Sequence, residues 1–400
     1  MMDLTKYIGP TYNDFVQKLL DDRQTKYLGI KLITPFTLVL VALIAAAVVV
    51  ALYRLAFGIG AASNLSDAWP WGLWISFDVL GGVCMAAGGF LIAGAVYICG
   101  LEKYHCVARA AILNAFFGYL LAAISICMDI GRSVVIWKAL ISSQINSIMF
   151  IVAIHVVLYT STLATESSPM FFEKVGWDGA RHKVSRCMVG VALFGVLLSL
   201  LHQSSLGAVY LIAPGKLSQI WYSQWIPYCF LLSAIMLGLS MVSFETILTG
   251  KVWNHPPPRD VLSGLGRGTL IAAILYLALK VYILFDTPGL VGMVFDGSFL
   301  GNLYLLEMAV GVLLPIALLS FKAVRNNIHR LFAVDILVIS GVLLNRLNVG
   351  IFGVQEFATR SGGDYFPSVM EWILTLGMIA FAILGFKLCA KYLNLFPQHH

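Results

Sequence analysis

Apolar residues fall in ten long stretches along this chain, each closed off by a short polar segment. The stretches lie at about 34–57, 71–99, 107–129, 143–165, 186–207, 226–249, 265–285, 302–321, 331–350 and 369–390. A helix needs ~20 mostly apolar residues, at 1.5 Å rise each, to cross the hydrocarbon core of a bilayer. The pattern therefore predicts an all-α integral membrane protein of about ten transmembrane helices.

Composition agrees with that reading. The 400 residues are 60% hydrophobic and 12% charged, with mean hydropathy +0.87. A soluble domain carries about 25% charged residues. The net charge of +6 points to no nucleic-acid partner, because its distribution follows the loops. Nineteen Lys and Arg fall on the side of the N-terminus and four (Arg132, Lys138, Lys216, Arg360) on the other, while Arg54, Lys280 and Arg346 lie near outer helix ends. The positive-inside rule then places both termini in the cytoplasm of a bacterial cell, with the protein multi-pass in the inner membrane.

Residues 1–33 mix both charge signs and do not resemble a signal peptide. They read as a cytoplasmic segment, with an interfacial helix leading into the first span. Residues 391–400 read as a cytoplasmic tail. The seven cysteines form no C-x-x-C pair, so no iron–sulfur or zinc site is expected.

One membrane domain is expected over 34–390, with no water-soluble domain. The longest outer loops are about 208–225 and 351–368, and the longest inner loop about 166–185. A weak repeat suggests two pseudo-symmetric four-helix bundles, stretches 2–5 and 6–9, plus flanking helices. Arg109 and Arg267 open the third and seventh stretches, and Asn146 and Asn302 the fourth and eighth. Leu201-His202-Gln203 and Leu344-Asn345-Arg346 close the fifth and ninth. Chance similarity among apolar sequences is the alternative. The small residues of the second stretch, Gly81-Gly82, Ala86 to Gly89 and Gly94, predict close helix packing.

Ionisable groups inside a bilayer are costly and usually face a bundle interior, a cavity or a pathway. Here they cluster towards the outer side. Asp78, Asp129, Arg132, His202, Gln203, Ser204, Lys280, Glu307, Asn345, Arg346 and Glu371 all fall in the outer halves of their stretches. That asymmetry predicts an outward-facing polar cavity. Blander readings stand beside it. Asp129 and Arg132 can form a simple pair three residues apart, and His202 can be a satisfied helix-end histidine. Lys280 can snorkel, and His155 can be a packed histidine. Seven Trp lie on the outer side and two on the inner; an aromatic belt accounts for most of them, and a docking surface for the remainder. Haem b requires two histidines at matching depth. The expected boundaries put His155 and His202 ~10 Å apart in depth, so no haem is expected.

Several segments together resemble a known family. Pro70-Trp71-Gly72-Leu73-Trp74-Ile75-Ser76-Phe77-Asp78 is similar to the second-helix signature of NrfD-like, or polysulfide-reductase-like, membrane subunits. Within them the resemblance is to the HybB-type subunits of periplasmic nickel–iron hydrogenases. Tyr104-His105 with Arg109, Asp129-Ile130-Gly131-Arg132, His202 to Gly207, Phe244-Glu245 and Tyr365-Phe366-Pro367 fit the same pattern. The resemblance runs from about 35 to 390. It departs at Asn345-Arg346, where an aromatic is expected before the Arg, and at Asp296-Gly297-Ser298-Phe299.

The resemblance implies a cofactor-free, quinone-reactive anchor with menaquinone as substrate and neither haem nor an iron–sulfur cluster in this chain. It implies an extracytoplasmic, ferredoxin-like iron–sulfur subunit, with a multihaem cytochrome or a hydrogenase or molybdopterin catalytic subunit. A quinone needs donors for two carbonyls and a source of two protons. On that chemistry His202 is assigned as donor and proton exchanger, Asp129 as its proton partner, and Arg132 as the group fixing the Asp129 charge. Asp78, Gln203, Ser204 and Trp71 are assigned to the quinone pocket, and Asp78, Glu307, Lys280 and Arg346 to a proton path. The side of proton uptake decides whether turnover translocates charge. A secondary transporter with an intramembrane polar site is the main alternative. A dihaem cytochrome and a purely structural anchor are the others.

Overall fold

The computed structural model describes residues 13–14, 17–18, 21, 28–69, 71–141 and 144–396. Most of the expected N-terminal segment, Pro70 and the last four residues lie outside them. Among the described residues every regular element is helical. The fold is that of an all-α, multi-pass integral membrane protein.

Among the described residues, ten helices are long and apolar enough to cross a bilayer. They are α1 (Pro35–Phe57), α2 (Trp74–Ile98), α3 (His105–Asp129), α4 (Ile148–Val175) and α5 (Asp178–Ala208). The others are α6 (Ile226–Val252), α7 (Arg259–Asp286), α8 (Phe299–Ser320), α9 (Ile328–Gly350) and α10 (Val369–Tyr392). Leu28 and Ile30 pack with Ala390, Leu395 and Phe396, so the chain enters and leaves at one end of the bundle. That end is the near face, and the opposite end the far face.

Helix α2 is the most enclosed of the ten, and its small residues are the reason. A Cβ added to Gly88 would lie 2.8 Å from Gly238 O of α6, and one on Gly89 would lie 2.4 Å from Ala115 Cβ of α3. Without a hydrophobic drive between helices in lipid, such backbone contact supplies the packing energy. Around this axis α2–α5 close one ring of four helices and α6–α9 another, joined along α2 and α6. Helix α1 lies outside both rings against α10, where Gly377 admits Ala47 of α1.

Two expected boundaries move. Helix α4 starts at Ile148, because Ser147 accepts a hydrogen bond from Phe150 N as its N-cap. It then runs through Pro169 to Val175, and Gly176 at φ +72° closes it. Helix α5 begins at Asp178. The expected inner loop over 166–185 is therefore a two-residue turn between helices that extend beyond the apolar stretch. Hydropathy marks where the hydrocarbon ends, and a helix continues past that point wherever its backbone bonds and caps are met. The short helix Gln355–Arg360 likewise lies within the expected outer loop over 351–368.

Candidate functional site

The costly residues separate into three clusters, and the two inside the helix rings draw on matching positions. The first cluster lies in the α2–α5 ring. His202 of α5 is wholly buried. Its imidazole meets Tyr119 of α3 at 5.5 Å and His155 of α4 at 5.9 Å between ring centroids. Tyr119 in turn packs edge-on against Tyr159 of α4 at 4.4 Å, and both hydroxyls converge on Ser199. Gln203 Nε2 donates to Val83 O of α2 at 3.0 Å. Seven buried polar atoms here complete no hydrogen bond of full geometry, namely Tyr119 Oη, His155 Nδ1, Tyr159 Oη, Ser199 Oγ, both His202 nitrogens and Gln203 Oε1, the two tyrosine hydroxyls and Ser199 Oγ having one another as neighbours. Buried polar groups are nearly always satisfied, and each orphan costs about 1–3 kcal/mol.

The depth reasoning against a histidine pair is corrected by this geometry. His155 lies seven residues inside the start of α4 and His202 six inside the end of α5, so the two rings touch. His202 has no accessible surface, and Tyr119 packs beside it.

The second cluster lies in the α6–α9 ring. Glu307 Oε1 of α8 pairs with Lys280 Nζ of α7 at 3.5 Å and accepts from Asn345 Nδ2 of α9 at 2.8 Å. Its Oε2 accepts from Trp221 Nε1 at 3.0 Å and Asn348 Nδ2 at 2.9 Å. Arg346 donates to Asn345 Oδ1 at 2.6 Å and to Phe230 O and Ser233 Oγ, and its guanidinium stacks 3.8 Å above the Phe230 ring. It also reaches Cys84 Sγ of α2 at 3.6 Å. Glu307, Lys280 and Arg346, grouped in the sequence, are thus one network.

The third cluster joins α1, α2, α3 and α10 at the far face, and it contains Arg54 and Glu371, to which no role was assigned above. Buried Arg54 of α1 donates to Met128 O, Ile130 O and Ser133 Oγ at 2.7, 2.5 and 2.8 Å. It caps α3, where its charge meets the negative end of the helix dipole. Glu371 accepts from Tyr365 Oη at 2.6 Å and from Ser368 N. Tyr365 Oη also accepts from Leu73 N at 2.7 Å. A Cβ on Gly72 would sit 2.1 Å from that hydroxyl, so the Trp71-Gly72 and Tyr365-Phe366 motifs fit into each other. Asp78 accepts from Thr375 Oγ1 at 2.7 Å. It lies in a π-helical turn, Trp74–Val79, a feature frequent at functional sites.

Several expected partnerships are corrected. Arg132 is exposed and forms no ion pair with Asp129 among the described residues. Asp129 instead feels the charges of Arg54 and Glu371. Asp129 also lies ten residues beyond Tyr119 along α3, about 15 Å, so it stands apart from His202. The Asp–Arg spacing suggested a pair, but the chain turns outward after Asp129 and carries Arg132 with it. Ser204 spends its hydroxyl on Leu200 O of its own helix, and Trp71 packs edge-on against Tyr210. Three of the seven outer tryptophans, Trp69, Trp74 and Trp221, are buried and pack within the protein. Tyr119, Tyr159 and Ser199 carried no sequence signal beyond a polar tip in an apolar run.

The family model described as "Polysulphide reductase, NrfD" matches residues 61–358. The chain belongs to the NrfD family. Among NrfD-type relatives, the probable Ni/Fe-hydrogenase 2 b-type cytochrome subunit of Escherichia coli is 30% identical, covering 92% of this chain and 94% of that protein. The menaquinone reductase integral membrane subunit of Nitratidesulfovibrio vulgaris is 26% identical over 87% of this chain and 88% of its own. The Hdr-like menaquinol oxidoreductase integral membrane subunit of Archaeoglobus fulgidus is 23% identical, at 84% and 87%.

Proposed function

We propose that this chain is the quinone-reactive membrane subunit of a respiratory oxidoreductase complex. It exchanges electrons between an extracytoplasmic iron–sulfur or cytochrome partner and menaquinone. The coarser statement, a membrane subunit of an oxidoreductase complex, rests on the NrfD family and on relatives named as menaquinone, selenate and dimethyl sulfoxide reductase membrane subunits. The finer one rests on the seven unpartnered polar atoms gathered around His202.

Reduction of a quinone takes two electrons and two protons and yields the quinol. The electrons come from the partner subunit. Donors around His202 supply what the head group needs, with imidazole giving a hydrogen bond and a proton to one carbonyl, and the Tyr119, Tyr159 and Ser199 hydroxyls behind it relaying replacement. Charge bias supports a periplasmic far face. Gln203 stays beside His202 in this cluster, Asp78 and Trp71 lie outside its immediate contact, and Asp129 and Arg132 leave the catalytic assignment. The transporter alternative calls for helices broken near mid-membrane; the π turns of α2 and α8 bulge their helices without interrupting them, and the one-residue turn at Ala86 in the middle of α2 keeps right-handed helical dihedrals.

The test uses the complex assembled with its redox partners. Turnover is followed with a naphthoquinone acceptor in wild type and in His202→Ala. Loss of quinone-linked turnover, with assembly and partner-only electron transfer intact, supports the reading. Full quinone turnover in that variant overturns it.

A further inference from the structure

A head group approaching from the bilayer cannot touch His202 in the arrangement described. The residue has no accessible surface. Helix α3 closes one side with Tyr119, and α2 holds the adjacent Gln203 through Val83 O. The remaining side is α4, where the residue against His202 is His155.

His155 sits on a border. Val156, Tyr159 and Leu163 of α4 are buried, while Val157 and Leu158 face outward. His155 itself is half-buried, with Nδ1 turned inward and unpartnered. It is also the one polar side chain between Ile148 and Leu158. On α5, Leu201 beside His202 is 55% exposed. An imidazole at the edge of an otherwise apolar helix surface loses hydration and gains no protein bond in return. A ligand that arrives through lipid and carries an acceptor would restore that bond.

We infer that His155 is the portal residue of the quinone site. The head group docks edgewise from the bilayer between α4 and α5, its leading carbonyl accepting a hydrogen bond from His155. A turn of the His155 ring then uncovers His202 behind it, while the isoprenoid tail stays in lipid along Leu158 and Leu201. This rests on the reading of His202 as the quinone donor and names how that donor is reached.

Three variants of the intact complex test it, with quinone concentration varied. His155→Phe keeps the ring and removes both nitrogens, His155→Gln returns a donor, and Leu201→Trp crowds the opening from the lipid side without touching the interior. Losing one ligand hydrogen bond corresponds to about a tenfold change. His155→Phe is expected to raise KM about tenfold with kcat changed less, His155→Gln to restore most of the loss, and Leu201→Trp to raise KM as well. Unchanged KM in both His155→Phe and Leu201→Trp, alongside lost turnover in His202→Ala, overturns the portal and leaves the His202 reading standing. Full turnover in His202→Ala overturns the reading beneath it.

Discussion

The Glu307 network and the His202 cluster, one in each helix ring, hold their polar groups in opposite ways. In the α6–α9 ring, Glu307 has four partners, one of them the Lys280 ammonium, and Arg346 bonds through both terminal nitrogens and stacks on Phe230. Among the described residues of that network only Arg346 Nε and Asn348 Oδ1 lack a partner, although nearer the other end of the same ring Ser243 Oγ, both Glu245 carboxylate oxygens and Asp335 Oδ2 are also without one. In the α2–α5 ring, His202 and its neighbours carry seven unpartnered atoms and no ionic pair. The two clusters occupy corresponding helices, α3, α4 and α5 against α7, α8 and α9. One is a closed charge network that fixes three helices relative to one another. The other is a set of neutral donors and acceptors left open. A saturated network resists a ligand, because any newcomer must break bonds already made, whereas an unsaturated one gains by accepting one. The matching placement is what two related bundles would give, and under the proposal above the first would hold the quinone site.

Loss of function and loss of stability should therefore separate cleanly between the rings. His202→Ala is expected to cut quinone turnover by at least a hundredfold, a scale typical of losing a general acid–base group. Its melting temperature in detergent should stay within a few degrees of wild type, since no existing bond is removed. Glu307→Ala should do the reverse. Stranding the Lys280 charge costs about 3–5 kcal/mol, visible as low yield and a strongly lowered melting temperature. The double variant Lys280→Met with Glu307→Gln removes both charges and should recover about half of that loss; a double variant no more stable than Glu307→Ala would show that the pair is not what holds the ring. Asp129→Asn should have a smaller effect on turnover than His202→Ala. Arg132→Ala, at an exposed position, should shift stability by less than about 0.5 kcal/mol.

Much of this architecture is legible in the residue order. Ten stretches of sufficient length, separated by loops of alternating charge, dictate ten crossings. The glycines at 88 and 89 mark the helix that lies deepest. The grouping of Glu307, Lys280 and Arg346 follows from depth alone, because residues at one level of neighbouring helices can meet. Depth says nothing about which face of a helix a residue occupies or which helices are neighbours. That is why Asp129 was matched to His202 and Arg132, although it faces α1 and α10. The same gap hid Arg54, whose partners lie on α3 rather than on its own helix. The histidine pair was missed for a different reason. Apolar stretches locate helix ends only to within a turn or so, and an error of five residues at the start of α4 was enough to pull His155 away from its true neighbour.

Arg54 also sets an order of events during synthesis. Its three bonding partners lie 74, 76 and 79 residues further along the chain. At ~5–20 residues per second, α1 waits roughly 4–15 s in the bilayer before they emerge. During that interval the guanidinium can only reach outward to the headgroup region. Arg54 thus gains its bonds when the third helix arrives, while the packing face of α1 waits for α10, the last helix to be made.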